Sequence, residues 1–502
     1  MKRKIYCRYF FPVVVLLLLG ISACQELEEH PLGRSNSPEI VYNSLSNLDA
    51  TAVAMYAALR GNGSWSEGFA CSQYMTTMYG ADDLTTYEAN NKEPFREFDK
   101  FQKTASNIWM PNLYRGCYRA VVNANAIIEY SQYTEGKKSS LENIIGQAYF
   151  VRGLSYFYLV RSWGEIPLFT GPSADPEISR SSISDIYDLI IADFMQAEIL
   201  LPNKQSDVGR PNKGAAKAFL AKAYLTKAGW PLKDEGSYTL AAEKAKEVID
   251  ERANYGIDLF PDFAGIWLRV NDNSEESVFS LQYDRNVGDG THANHLIGKA
   301  SIADEEENGW DDFFPELTFY REFPESTRKD ATFRIQFITE GHDTIDYQDT
   351  RTRHPYYSKF RDGAVDEATP WINQYHTAAA YALMRYAEVL LIYAEAQTQA
   401  FSPDASTYET INLVRNRAGL PDLASGLSKE DFVNAVIDER AWELAGEGKR
   451  WYDLLRTEKV PEVVAKRDPN EQVQILGQIT RDNYYAPIPE YEVVKNPNLV
   501  NN

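Results

Sequence analysis

Histidine and cysteine are scarce, with six and four among 502 residues. Only His292 and His295 lie close together, and a His-x-x-His pair without a third ligand does not make a metal site. The stretch 284–290 offers oxygen ligands and glycines but not the spacing of a calcium loop. There is no Gly-x-Ser-x-Gly elbow and no phosphate-cradling glycine loop, so no metal, cofactor or nucleophilic chemistry is legible. Basic residues are outnumbered 51 to 72, giving a net charge of −21. That balance excludes a protein that neutralises nucleic-acid phosphates. Carboxylates are abundant enough to hide a glycosidase pair, which needs geometry rather than spacing, but nothing in the sequence picks out two.

Long hydrophobic runs are also missing after residue 19, so no later segment can span a bilayer. What precedes is a targeting segment. Lys2, Arg3, Lys4 and Arg8 form a basic head, residues 10–19 an apolar run, and Ile21-Ser-Ala-Cys24 a lipobox. The expectation is a signal peptide over 1–23, cut before a diacylated Cys24 that anchors the chain to the outer membrane. An ordinary secretory signal is the alternative. Loss of the four basic residues takes the charge to −25. Cys71 and Cys117 then remain, and two cysteines can pair in an oxidising compartment without making a scaffold.

Aromatic residues are plentiful instead, with 32 Tyr, 23 Phe and 9 Trp. Many fall on helical stripes. The periodicity predicts helices over 45–60, stopped by Gly61, and over 108–130, 141–163, 182–202, 209–225 and 238–250. Helices resume at 379–400, 408–421 and 428–445, the last continued by 447–456. Helix pairs with Ala, Tyr and Leu stripes every 35–40 residues imply a degenerate tetratricopeptide-like array, a mainly all-α fold. Arg152 and Arg161, inside a helix that is apolar all round, call for buried carboxylate partners. Pro487, Pro489 and Pro497 predict an extended C-terminal tail, held against the 383–397 helix through Leu383, Tyr386, Val389, Leu390, Tyr393 and Ala394.

Two stretches break the rhythm. Residues 64–103 read as loop, and 260–374 hold Gly, Asp, Asn and aromatics with short strand-like pieces at 277–283 and 332–338. Such insertions in a helical scaffold carry function. Sugar binding needs rings to stack on C–H faces and polar side chains to bond hydroxyls. The candidates are Trp65, Tyr74, Asp82, Asp83 and Tyr87 in the first stretch, with Tyr79, Asn90 and Asn91 nearby. In the second they are Trp267, Tyr283, Arg285, Asn286 and Trp310. Packing within core or loop is the competing role for each ring.

Six stretches in a fixed order carry a resemblance. They are QAYFVRGLSYFYLVRSWGEIPL at 147–168, GRPNKGAAK at 209–217, RYAEVLLIYAEA at 385–396, INLVRNRAGLP at 411–421, ERAWELAGEGKRWYDLLR at 439–456 and PIPEYEVVKNPNL at 487–499. Together, behind a lipobox, they resemble the SusD/RagB family of outer-membrane lipoproteins. The resemblance implies four tetratricopeptide-like units under a loop-rich face, surface exposure, glycan binding without catalysis, and a SusC-like TonB-dependent transporter as partner. A peptide-importing, RagB-like lid and a glycoside hydrolase are the alternatives. The matching stretches are all scaffold and transfer no binding residue. The implied organisation is 24–255 helical, 256–375 insertion and 376–502 C-terminal, packed as one unit.

Overall fold

The helices begin and end where side chains can satisfy their open backbone groups. The computed structural model describes residues 37–61, 67–70, 72–283, 311–339, 343–360 and 379–500. Cys24, His292, His295 and residues 284–290 lie outside them. Leu45–Arg60 (α1) is capped by Ser44, whose hydroxyl accepts from the Asn47 amide, and stops at Gly61. Pro111–Tyr130 (α2) and Lys138–Trp163 (α3) follow. Ile183–Leu200 (α4) and Lys213–Ala228 (α5) are capped by Ser182 and Asn212. Ser237–Tyr255 (α6) ends on a left-handed Gly256. After the insertion come Tyr386–Ala400 (α7), Ala405–Arg417 (α8) with an Asp404/Thr407 capping box, Lys429–Glu443 (α9) under Ser428, and Arg450–Arg456 (α10).

Each helix from α1 to α8 packs on the next, and α7 also receives α9. The array therefore runs straight across the insertion, with α6 packed on α7. Small residues make this approach possible: Ala215, Ala216, Ala218, Ala221 and Ala223 of α5, and Ala241, Ala242 and Ala245 of α6, are all buried. The fold is mainly helical and tetratricopeptide-like, with strands only as short antiparallel pairs among the described residues. The main pair joins Ser277–Leu281 (β1) to Tyr381–Arg385 (β2), with irregular register from Ser277↔Arg385 to Leu281↔Tyr381. No described helix is long and apolar enough to cross a membrane.

The structure corrects several sequence expectations. The helix predicted from 379 starts at Tyr386, because residues 381–385 pair with β1. Arg152 does meet a carboxylate, bonding both oxygens of Asp193 at 2.8 and 2.7 Å. Arg161 instead stacks on Phe157 and Tyr452, with ring centroids 3.8 and 4.0 Å away. The 64–103 stretch contains a 3-10 helix, Ser72–Met78, and an α-helix, Glu93–Asp99. The tail is not held by α7, and Glu490–Lys495 is helical. The tail docks on the end of α3: Ala486 N–H donates to the Ser162 carbonyl (2.8 Å) and Glu490 N–H to that of Ala105 (2.8 Å). Asn496 and Asn498 reach the carbonyls of Ile178 and Glu177, at 2.7 Å each. Gly164, at φ +71°, ends α3 under the Tyr485 ring, where a Cβ would lie 2.9 Å from it. Cys117 is a buried free thiol, and Cys71 lies outside the described residues.

Candidate functional site

The two irregular stretches converge because buried tyrosines tie their described ends together. Tyr283 donates to the Phe69 carbonyl (2.8 Å), and Tyr79 to that of Asp312 (2.7 Å). Ser72 and Lys92 bond the Asp312 carboxylate. Tyr74 bonds Tyr381, and Tyr357 donates to the Asp83 carbonyl (2.8 Å). The chain on either side of 62–66, 284–310 and 361–378 is thus gathered around residues 67–86. Burial lifts the Tyr74, Tyr79, Tyr357 and Tyr381 hydroxyls far above the ordinary tyrosine range, so they act as neutral donors. Gly116 lets this frame sit close on α2, since a Cβ there would be 2.4 Å from Gly68.

A buried ion network supports the frame from below. Arg385 bonds Glu276, Glu443 (2.8 Å) and both oxygens of Glu447 (2.8 and 3.0 Å). Arg417 bonds Glu276 (2.7 Å) and Glu443 (2.6 Å), and Arg328 bonds Glu439 (2.7 Å) and Glu443 (3.0 Å). Lys359 reaches Glu447 at 2.9 Å. Burial alone would raise the Glu443 and Glu447 pKa values, but the cations prevail and hold both below the ordinary range. Glu443 and Glu447 are therefore ionised, and all four carboxylates of the network are held by cationic donors. None is poised as a general acid.

Among the candidate ligand residues, Tyr74 and Asp83 are buried, at 1% and 0% exposure, and belong to the frame rather than to a stacking surface. The Tyr283 hydroxyl is spent on Phe69. Asp82 is partly exposed but holds Arg450 through both oxygens, at 2.8 and 3.0 Å. Tyr87 is half-buried, with the Arg351 guanidinium 5.1 Å from its ring centre. Trp267 lines a small cleft with Asn271, Asn273, Lys359, Tyr381 and Arg385. Its ring carries Lys359 and Arg385 at 4.9 and 5.3 Å, and its indole N–H has no partner. Trp65, Arg285, Asn286 and Trp310 lie outside the described residues. Asn90 and Asn91 are exposed. No described group of three or more His, Cys, Asp or Glu is arranged to hold a metal ion. Sequence reasoning missed Tyr357 and Tyr381 as frame residues, because irregular segments give no periodicity from which to read them.

Two family models match the chain: "SusD family" over residues 324–502, and "Starch-binding associating with outer membrane" over 27–225. SusD-like protein P2 of Formosa agariphila is 26% identical, over 97% of this chain and 98% of its own. A SusD homolog of Bacteroides thetaiotaomicron superposes with a TM-score of 0.79 at 22% identity, covering 93% of this chain and 98% of that one. A laminarin-binding SusD-like protein superposes with a TM-score of 0.75 at 25% identity, covering 92% and 99%.

Proposed function

Because this chain belongs to the SusD/RagB family, we propose that it is a glycan-capturing lipoprotein. Cys24 carries the lipid and the helical array docks on a SusC-like TonB-dependent transporter in the outer membrane. The face framed by residues 67–86 holds an oligosaccharide and hands it on without catalysis. One observation carries this reading. The described ends of the two irregular stretches lie side by side, tied by Tyr74, Tyr79, Tyr283 and Tyr381. A scaffold that spends its buried hydroxyls on gathering loops is built to present them. The likeness to a laminarin-binding protein of nearly the same length supports sugar as the cargo. The saturated carboxylates of the ion network support capture over hydrolysis.

Retardation of the soluble chain, starting after Cys24, in gels containing a panel of polysaccharides tests the proposal. One glycan class is expected to slow the protein, with Trp65→Ala or Trp310→Ala weakening the effect at least several-fold. Free migration across the panel would transfer the assignment to a transporter lid with peptide cargo.

A further inference from the structure

We propose that a groove bounded by α2, the loop after α3 and the C-terminal helix Glu490–Lys495 is a second subsite, taking a neutral oligosaccharide. The inference rests on the glycan-capture reading and extends it to residues outside the candidate ligand set read from the sequence. The groove encloses about 660 Å³, within the usual range for small-molecule sites of about 300–1,000 Å³.

Its floor is aromatic and fixed. Tyr118 and Phe169 lie within 7° of parallel, with centroids 5.9 Å apart. The Tyr118 hydroxyl is anchored on the Pro167 carbonyl at 2.8 Å, and the Phe169 amide on Tyr156 at 3.0 Å. Because Phe169 is stacked on Tyr118, the groove offers a sugar C–H face the remaining side of the Phe169 ring, which is held in place and loses little entropy on binding. On the facing wall Tyr491 is 54% exposed.

The rim carries two cross-element ion pairs, Arg119 with Glu67 and Arg115 with Glu492 at 3.7 Å. A guanidinium donates and a carboxylate accepts. Set side by side, they match a vicinal diol, in which one hydroxyl accepts while its neighbour donates. Both guanidinium groups are held by carboxylates, and the third cation of the lining, Lys495, lies over the Tyr491 ring at 4.1 Å. The rim therefore lacks the cluster of carboxylate-free donors that a polyanionic glycan needs, and the net charge of −21 adds repulsion. The groove also continues the proposed face, since Glu67 is two residues beyond Trp65.

Hydroxyl-radical footprinting of the soluble chain reads both places at once, with laminarin, xyloglucan and polygalacturonate as probes. A neutral glucan is expected to protect Tyr118, Phe169 and Tyr491 from oxidation. Phe169→Ala and Arg119→Ala, which leave the backbone anchors intact, are expected to weaken its binding at least tenfold, with unchanged circular dichroism. Protection confined to the peptides holding Trp65 and Trp310, with both variants binding normally, would overturn the groove and leave glycan capture standing. Protection of the groove by polygalacturonate alone would overturn the neutral assignment. No protection by any probe would overturn both the groove and the capture reading.

Discussion

Asp83 is buried beside Asp82, with one carboxylate oxygen on the Gly446 amide (3.0 Å) and the other without a partner. Burial first, then the Asp82 charge, push its pKa up to about 7, against the pull of Gly446, Arg450 and Lys359. The unfolded chain releases this proton near the ordinary aspartate value while the folded chain keeps it to about 7. This residue's contribution to stability therefore falls as pH rises between those values. Asp83→Asn removes the titration, so its stability advantage over the native chain is expected to grow by about 2 kcal/mol between pH 5 and pH 8. Urea unfolding at the two pH values measures it, and a pH-independent difference would refute the assignment. Glu443 has the opposite character, holding Arg328, Arg385 and Arg417 at once. Glu443→Gln keeps the shape and strands buried cations, and is expected to cost about 3–5 kcal/mol of unfolding free energy.

At the scale of elements, the sequence was most legible where the determinants are local. Ser182 and Ser428 announced the starts of α4 and α9, and Gly61 and Gly164 the ends of α1 and α3. It misled where a distant partner decides. Residues 381–400 are apolar throughout, and a short apolar run does not reveal its period. Only pairing with Ser277–Leu281, about a hundred residues earlier, makes 381–385 a strand. The tail failed likewise, because its prolines forbid a long helix but do not name the surface that receives it. At the candidate site, periodicity could not separate frame from surface: Tyr74 and Asp83 are buried in the frame. Local patterns also hid the groove, although Tyr114 and Tyr118, with Arg115 and Arg119, repeat one helical turn apart on α2. Gly164→Ala tests the docking of the tail. A Cβ at positive φ beneath Tyr485 is expected to cost about 1–3 kcal/mol and to expose residues 486–500 to limited proteolysis well below the melting temperature.

At the scale of the molecule, no described helix is long and apolar enough to cross a membrane, and the attachment proposed above is acylation at Cys24. A Cys24→Ala variant is expected to move from the outer-membrane fraction to the soluble fraction while melting at the same temperature as the native chain. Fractionation with immunoblotting checks this, and retention in the membrane would point to another anchor. A surface of charge −21 adds long-range repulsion towards polyanions, fading beyond a Debye length of about 8 Å at physiological salt.

Packing of α6 directly on α7 has a consequence for how such proteins diversify. The chain leaves the array at Tyr255 and re-enters it at Tyr386, and what lies between is a set of loops pinned to the body at Glu276, Arg328 and the β1–β2 pair. Closing such a loop costs entropy that grows only logarithmically, about 0.6 kcal/mol for each doubling of length. Changes of length between those anchors, which spare Glu276, Arg328 and Ser277–Leu281, therefore leave the helical body nearly as stable as before. Selection can rewrite those loops while the surface of the helical array stays the same.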